Sequence, residues 1–518
     1  MSIVVFPLVF LELLAIAAIN ISFCNGSTFV VCIESERQAL LRFKQDLKDP
    51  SNRLASWNGD GDCCSWAGVV CDKFTGHVLK LHLRNPHWDY CHTRRSSYIG
   101  GKYIDYPWID DQYDSYKRSL LIDKLKLLDL SHNQFFGHLS NQLCQLKGLH
   151  ILWLSNNFIS DPIPFSLGEL WSLKKFDISY NKLNGTFSEA HFSNLTRLTY
   201  FDASGTSLMF NVSSHWIPPF QLKILGLYSC HLGPRFPSWL HSQKNLFFLD
   251  LSSSRLLDTI PSSFWKSHSQ LESIYFSLFL KNDLMQTAVL KLNDNFLSGE
   301  LLNCWMKWSE LIVLNLGYNN FSGSIPSSIG SLRTIPISLG NCTSLQVINL
   351  EENEFSGNIP AFIGERLSKL VILKLTSNKF QGILPVELCH LSSLQILDVA
   401  NNNMSGTIPT CINNLSSMLD SPVFGLVWED AIVTLKGKLR QFITTLNLVR
   451  ILDLSSNNFS GEIPIEVTRL GALQSLNLSH NLFIGKIPES IDAMRSLESF
   501  DLSENQLSGF LLYLLQCF

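Results

Sequence analysis

The sequence predicts an α/β solenoid, a chain wound into stacked coils that each lend one short strand to a continuous parallel sheet. Three observations predict it. The phrase "VRILDLSSNNFSGEIP" at Val449–Pro464 returns as "LQSLNLSHNLFIGKIP" at Leu473–Pro488. The interval, about 24 residues, recurs along most of the chain. A segment rich in cysteine and tryptophan stands immediately ahead of the first repeat, where an open stack needs a cap.

Each repeat has a physical reason. Aligned on L-x-x-L-x-L-x-x-N-x-F-x-G-x-I-P, one column holds Asn133, Asn157, Asn181, Thr206, Cys230, Ser254, Asn295, Asn319, Asn353, Asn378, Asn402, Asn457, Asn481 and Asn505. This is the leucine-rich-repeat pattern. In Leu394–Asn402 an alternation of period two turns Leu397 and Val399 inward and Asp398 outward. The column Asn follows the strand, where a buried amide can satisfy backbone groups of neighbouring coils. Thr206, Cys230 and Ser254 fit that slot but bond less well. Gly406 and Gly461 permit the tight turn, and Ile-Pro starts an extended return. One coil buries too little to offset the entropy of ordering it, so the array is the unit of stability.

About sixteen coils lie between Val78 and Gly509, counting degraded members. The pattern is interrupted at Pro86–Asn133, compressed at Leu271–Leu290, lengthened between Asn319 and Asn353, and absent over Asn413–Leu448. The predicted layout is therefore 1–26 signal peptide, 27–77 cap, 78–412 repeats with insertions, 413–448 non-repeat island, 449–509 repeats and 510–518 a short apolar tail.

The leader "MSIVVFPLVFLELLAIAAINISFCNG" reads as a secretory signal peptide, although Glu12 interrupts it and no Lys or Arg precedes it; an uncleaved anchor is the alternative. N-x-S/T triplets at Asn184, Asn194, Asn211, Asn320, Asn341, Asn403, Asn414, Asn458 and Asn477 fit a glycosylated, exported chain. Asn320, Asn403 and Asn458 share one repeat position, so the fold alone generates those sequons. The tail "FLLYLLQCF" is too short to cross a bilayer.

In the cap, Ala39, Leu40, Phe43 and Leu47 fall on one helical face, and Trp57 and Trp66 can cover the first coil. Cys32, Cys63, Cys64 and Cys71 read as two disulfides. The pairing Cys32–Cys63 with Cys64–Cys71 is preferred, because the adjacent Cys63 and Cys64 would bond each other only with strain; a zinc site is the rival reading. Cys144, Cys304, Cys342, Cys389 and Cys411 sit in return segments and read as buried thiols, with Cys389 and Cys411 one coil apart and near enough to bridge.

The cap phrase "WNGDGDCCSWAGVVC" followed by L-x-G-x-I-P coils resembles the ectodomain of plant leucine-rich-repeat receptor-like proteins, and Ile363–Pro409 looks especially like the Cf and ethylene-inducing-xylanase receptor type. The resemblance implies a right-handed superhelix with an additional sheet. It also implies a place at the cell surface or in the apoplast, and perception of a microbial or endogenous protein or peptide ligand in defence or development. Partner receptor kinases would carry the signal. The island matches the family's in place. Lys436 and Gly437 resemble its Lys-Gly pair, and Trp428 its upstream aromatic. The island and the strands at Val449, Leu473 and Leu497 would meet ligand and co-receptor. The family's C-terminal cysteine cap, acidic stretch and membrane span have no counterpart here, so the chain reads as shortened at that end.

A stacked sheet presents outward positions in register on its concave face, a broad surface for partners. Those positions hold Trp153, Lys174, Lys175, Tyr180, Tyr200 and Tyr228, aromatics with adjacent cations of the kind that anchor protein or peptide interfaces. A second column is acidic or amide: Asp129, Asp177, Asp202, Asp250, Asn315, Asn349, Asp398, Asp453, Asn477 and Asp501. Many of these lie two residues before a Ser, so bonding within the sheet explains them more simply than a cation track. Phosphate-cradling loops, H-E-x-x-H and G-x-S-x-G are missing from the sequence, and Glu351-Glu352 read as an exposed pair without a pocket. The reading is a binding protein with no catalytic, metal or cofactor site. At 46% hydrophobic, 16% charged and net charge −4, nothing suggests a nucleic-acid partner. The alternative is a soluble interceptor similar to plant polygalacturonase inhibitors, blocking a microbial hydrolase without signalling.

Overall fold

The computed structural model describes residues 31–46, 54–58, 61–84, 124–139, 141, 143–267, 288–301, 311–323, 337–419, 431–435, 438–442 and 449–509. The expected leader, the apolar tail, Leu47 and Cys304 lie outside the described residues. The chain forms two compact units. The first takes the residues up to Gly233, apart from Ser97–Trp108, together with Pro237–Leu246. The second takes Pro234–Phe236 and everything from Phe247.

The first unit starts with the cap. Helix Glu34–Asp46 buries Leu40. Trp57 and Trp66 are buried and stacked with ring centroids 5.5 Å apart, and Trp57 Nε1 donates to the Ala67 carbonyl at 2.8 Å. Disulfides join Cys32 to Cys63 and Cys64 to Cys71, each with Cα atoms 5.4 Å apart. The four sulfurs lie close enough together to have held a metal, but they are spent in these two bonds. The Asp62 carboxylate ties the cap by accepting from the N–H groups of Cys32 and Cys64.

From the cap the chain enters an antiparallel pair, Val69–Cys71 with Val78–His82. The outer edge of Val78–His82 then starts a parallel ladder through Leu127–Asp129, Ile151–Trp153, Lys175–Asp177, Tyr200–Asp202 and Ile224–Gly226. Inward residues such as Leu152, Phe176, Phe201 and Leu225 are fully buried. Behind them lies an aromatic core in which Phe187 touches Phe192, Phe201 and Phe210.

The second unit repeats the plan with greater regularity. Its parallel ladder runs Phe248–Asp250, Ala288–Lys291, Leu311–Asn315, Val347–Asn349, Ile372–Lys374, Ile396–Asp398, Ile451–Asp453, Ser475–Asn477 and Ser499–Asp501. A second parallel sheet runs from Ser298–Glu300 to Gln506–Leu507. Ile396–Asp398 pairs directly with Ile451–Asp453, so the non-repeat segment leaves the array between neighbouring coils without breaking it. Part of that segment forms a hairpin, Ala431–Leu435 antiparallel to Lys438–Phe442. Phe321, Phe355 and Phe380 stack at 6.4 Å per step, giving the pattern's aromatic position its physical role.

The asparagine column is a ladder of hydrogen bonds. Asn181 Nδ2 donates to the carbonyls of Leu154, Ile178 and Ser179, and its Oδ1 accepts from the Ile159 N–H at 3.0 Å. Asn402 does the same for Leu375, Val399, Ala400 and Phe380. At Thr206 the hydroxyl reaches the Ala203 carbonyl of its own coil and the Cys230 sulfur of the next, but no backbone group of a neighbouring coil. The residue before each column position takes a left-handed backbone, whatever its side chain: His132 at φ 56°, Tyr180 at 51°, Glu352 at 52° and His480 at 53°. A histidine there marks a repeat slot rather than a reactive pair.

One expectation fails for a packing reason. Cys389 and Cys411 are not thiols but a disulfide, Cα atoms 5.8 Å apart, because successive returns stack and bring equivalent positions into register. Among the described residues Cys144, Cys230 and Cys342 are buried thiols outside the disulfides.

Candidate ligand-binding face

In the first unit the strand ladder sets a grid on the face opposite the core. One column reads Lys80, Leu127, Ile151, Lys175, Tyr200, Ile224; the next reads His82, Asp129, Trp153, Asp177, Asp202, Gly226. Trp153 and Tyr200 belong to strands on either side of Lys175–Asp177, yet their rings meet above it, edge to face with centroids 5.0 Å apart. Such a pair contributes roughly 0.5–1.5 kcal/mol beyond the area it buries. Both rings stay half-buried, and so do Lys174, Lys175, Tyr180 and Tyr228.

Tyr180 differs from its expected place. It occupies the left-handed turn slot past the strand, and its ring lies on Gly205 in the next coil, where an added Cβ would sit 2.7 Å from Cδ1. Tyr228 is positioned by its own N–H, which donates to Ser204 Oγ at 3.3 Å. The six residues singled out from sequence thus share one unit: Trp153 and Tyr200 touch, Tyr180 stands at the turn edge, and the lysines flank the pair.

The acidic column is structural. Asp129 Oδ1 accepts from the N–H and hydroxyl of Ser131, Asp177 from those of Ser179, Asp453 from those of Ser455 and Asp501 from those of Ser503. Asp398 accepts from the Ala400 N–H. Burial raises the Asp177 carboxyl above the usual range, opposed by its bonds to Ser179. These acids close the turn after each strand.

In the second unit the corresponding face is buried across the strands from Leu311–Asn315 to Ile451–Asp453. Val347, Ile372, Ile396 and Ile451 form one apolar cluster with Ile312, Val313, Val371 and Val449. Beside them Lys374 and Glu351 form an ion pair, both buried, and Asn349 Nδ2 donates to Glu351 at 2.7 Å. The reading of Glu351 as an exposed acid is therefore wrong; only Glu352 is exposed. Sequence reasoning also passed over Lys374, although a lysine standing, like Lys291, in a column of this unit otherwise acidic or amide was the available signal. Burial, reinforced by Asp453 and opposed by Lys374, lifts Asp398 to about 7.

Of the island residues, Lys436 and Gly437 fall between the two paired strands, and they and Trp428 lie outside the described residues. Val449 is buried rather than presented. Among the sequons, Asn184, Asn194, Asn211, Asn320, Asn403, Asn414 and Asn458 are exposed, and Asn341 is half-buried. Asn477 is a poor acceptor: it is half-buried on a ladder strand and its Nδ2 donates to Asp453 at 3.1 Å. No helix among the described residues is long and apolar enough to cross a membrane.

Stacked parallel coils, an asparagine ladder and a disulfide-bonded cap define a leucine-rich-repeat protein. Family models agree: the leucine rich repeat N-terminal domain matches residues 33–72, and leucine rich repeat models match 124–146, 148–170, 310–332, 343–404 and 447–507. The chain is 35% identical over 365 residues to Receptor-like protein EIX2 of Solanum lycopersicum, covering 54% of this chain and 36% of that one. It is 33% identical over 455 residues to Receptor-like protein 14 of Arabidopsis thaliana, covering 59% and 46%. The crystal structure of a TDR receptor shares the fold with a TM-score of 0.58 at 25% identity, over 74% of this chain and 56% of that one. The chain's curated relatives are plant receptor-like proteins, matched at moderate identity. It spans less than half the length of the two curated relatives.

Proposed function

We propose that this protein recognises a microbial or endogenous protein or peptide ligand outside the plant cell, in immunity or development, and acts through partner receptor kinases. The observation that carries the reading is the Trp153–Tyr200 pair, half-buried on the sheet face opposite the core and flanked by Lys174 and Lys175. Large aromatics held by a rigid sheet lose little entropy on contact and supply the anchors of an interface. The names of the curated relatives, receptor-like proteins, support the receptor role. The predicted domain layout, the island contact through Trp428, Lys436 and Gly437, and glycans on the exposed sequons belong to the same proposal.

The test is a random dodecapeptide display library panned in parallel on the purified chain and on W153A/Y200A. Peptides retained by the first and lost by the second support the site. Identical recovery by both proteins sinks it.

A further inference from the structure

The slot just before each strand of the second unit shows where the non-repeat segment is fastened. The Gln346 carbonyl accepts from the N–H groups of Val371 and Ile372, that of Val371 from Gln395 and Ile396, that of Gln395 from Ile451, and that of Arg450 from Gln474 and Ser475. Gln346, Val371, Gln395, Arg450 and Gln474 are therefore one row. Arg450 is the cation in it, and it is buried. An ionised group inside a protein is costly unless hydrogen bonds replace its water. Here Nε donates to the Ser417 carbonyl at 2.6 Å, and the backbone N–H of Arg450 donates to Gln474 Oε1 at 3.2 Å.

The partner explains the arginine. Leu415–Met418 repeats the turn of Leu391–Leu394: the Leu391 carbonyl accepts from the Leu394 N–H, and the Leu415 carbonyl from the Met418 N–H. The Ser417 N–H donates to the Ser392 carbonyl of the preceding coil, and the Ala472 N–H of the following coil donates to the Met418 carbonyl. Met418 thus completes a return within the stack, in the position that Leu394 holds ahead of Gln395. Val449 holds the same position ahead of Arg450, and both are buried. The chain therefore leaves the array after Met418 and rejoins it at Val449, at one point of one coil. Arg450 ties the rejoining arm to the leaving arm. The leaving arm is stapled one turn earlier as well, since Cys411 in the short helix Thr410–Asn414 bonds Cys389 in Val386–His390.

We propose that Arg450 is the positioning residue of the island: it clamps the two ends of the inserted segment together and so holds the hairpin of Ala431–Leu435 and Lys438–Phe442 in one orientation. A two-stranded hairpin by itself is marginal in water, so its persistence depends on how its base is held. The clamp joins residues 33 apart in sequence, and closing so long a loop removes chain freedom that the hairpin's own bonds do not. The uncharged residues at the same slot, Gln395 and Gln474, belong to coils whose returns run straight into their strands. The inference goes beyond the ligand reading above and needs no ligand for its test.

The experiment is hydrogen exchange followed by mass spectrometry on the purified full chain, on R450Q and on R450K. Glutamine fills the slots on either side, Gln395 and Gln474, so R450Q removes the charge and leaves a side chain the array already accepts. In R450Q, peptides covering 415–419 and 431–442 should exchange at least about tenfold faster, as expected for losing one buried bond from a charged donor. Peptides covering the strands Ile372–Lys374 and Ser499–Asp501 should stay within about twofold of wild type. R450K should recover part of the protection, because its ammonium can donate to the same carbonyl. Exchange of 431–442 in R450Q within about twofold of wild type overturns the inference, as does a hairpin with no protection in the wild type. An equal rise in the hairpin and in both reference strands also overturns it, because Arg450 would then support the whole array and not the island. So does an R450K variant no better protected than R450Q. All of these outcomes leave the Trp153–Tyr200 site to its own test.

Discussion

Replacing Asn181 with Ala tests the physical basis of the stack. The carboxamide serves four backbone groups on three segments: it donates to Leu154, Ile178 and Ser179 and accepts from Ile159. Ser179 keeps a second partner, the Asn156 N–H at 2.9 Å. Leu154 likewise keeps Asn157 Nδ2 at 3.0 Å, so the deletion costs chiefly the Ile159 N–H and the Ile178 carbonyl. A buried polar group without a partner costs about 1–3 kcal/mol, and a water entering the space left by the carboxamide recovers part of it. The net expectation is a local loss of about 3 kcal/mol, equivalent to roughly a hundredfold rise in the opening equilibrium of these coils. Hydrogen exchange followed by mass spectrometry on peptides spanning residues 154–183 reads it directly, with the amide of Ile159 the most affected. Asn181→Thr should fall between, since a hydroxyl can reach its own coil as Thr206 reaches Ala203 but cannot serve the backbone groups of the neighbouring coil as the carboxamide does. Exchange in Asn181→Ala within about threefold of wild type would refute the ladder as a source of cohesion.

Three other outcomes are expected. Because Asp398 is lifted to about 7 by burial and by Asp453, the folded state holds its proton where the unfolded chain, with an ordinary carboxyl near 3.9, has released it. This group's contribution to stability is therefore greatest at low pH and is lost as pH rises from about 4 towards 7; Asp398→Asn should flatten that part of a denaturation-versus-pH profile and raise stability at pH 7. Gly205→Ala places a Cβ at φ 68° and 2.7 Å from the Tyr180 ring, so it should destabilise the first unit by at least about 1–2 kcal/mol in a denaturant titration; no change would mean that Tyr180 does not lie there. Glycopeptide mapping of protein expressed in plant cells should find glycans on exposed sequons such as Asn184 and Asn194 and none on Asn477, whose Nδ2 is held by Asp453.

The strand ladders, the asparagine column and the disulfide pairing of the cap were legible in the sequence, because each is written with a period or a local motif; that Trp57 and Trp66 stack on each other was not. Leu397 and Val399 must be buried if their coil exists at all, and both are. The candidate site was legible only as a set of columns. Alternation told which residues of a strand face outward, so Trp153, Lys175 and Tyr200 could be named. It could not tell that a left-handed turn would carry Tyr180 onto Gly205, since that backbone state is set by the repeat and not by tyrosine.

What the sequence determined by itself is thus everything that depends on position within one coil: which side chains enter the core, where the chain turns, and which slot an asparagine must fill. What only the tertiary structure decided is everything that depends on contact between coils. Trp153 meets Tyr200 across an intervening strand, Cys389 bonds Cys411, and Glu351 is drawn into the interior by Lys374 on the next strand. A periodic pattern specifies the direction in which a side chain leaves its own backbone. Its neighbour and its burial depend on how closely the adjacent coil approaches, and that distance is fixed only when the whole stack has packed.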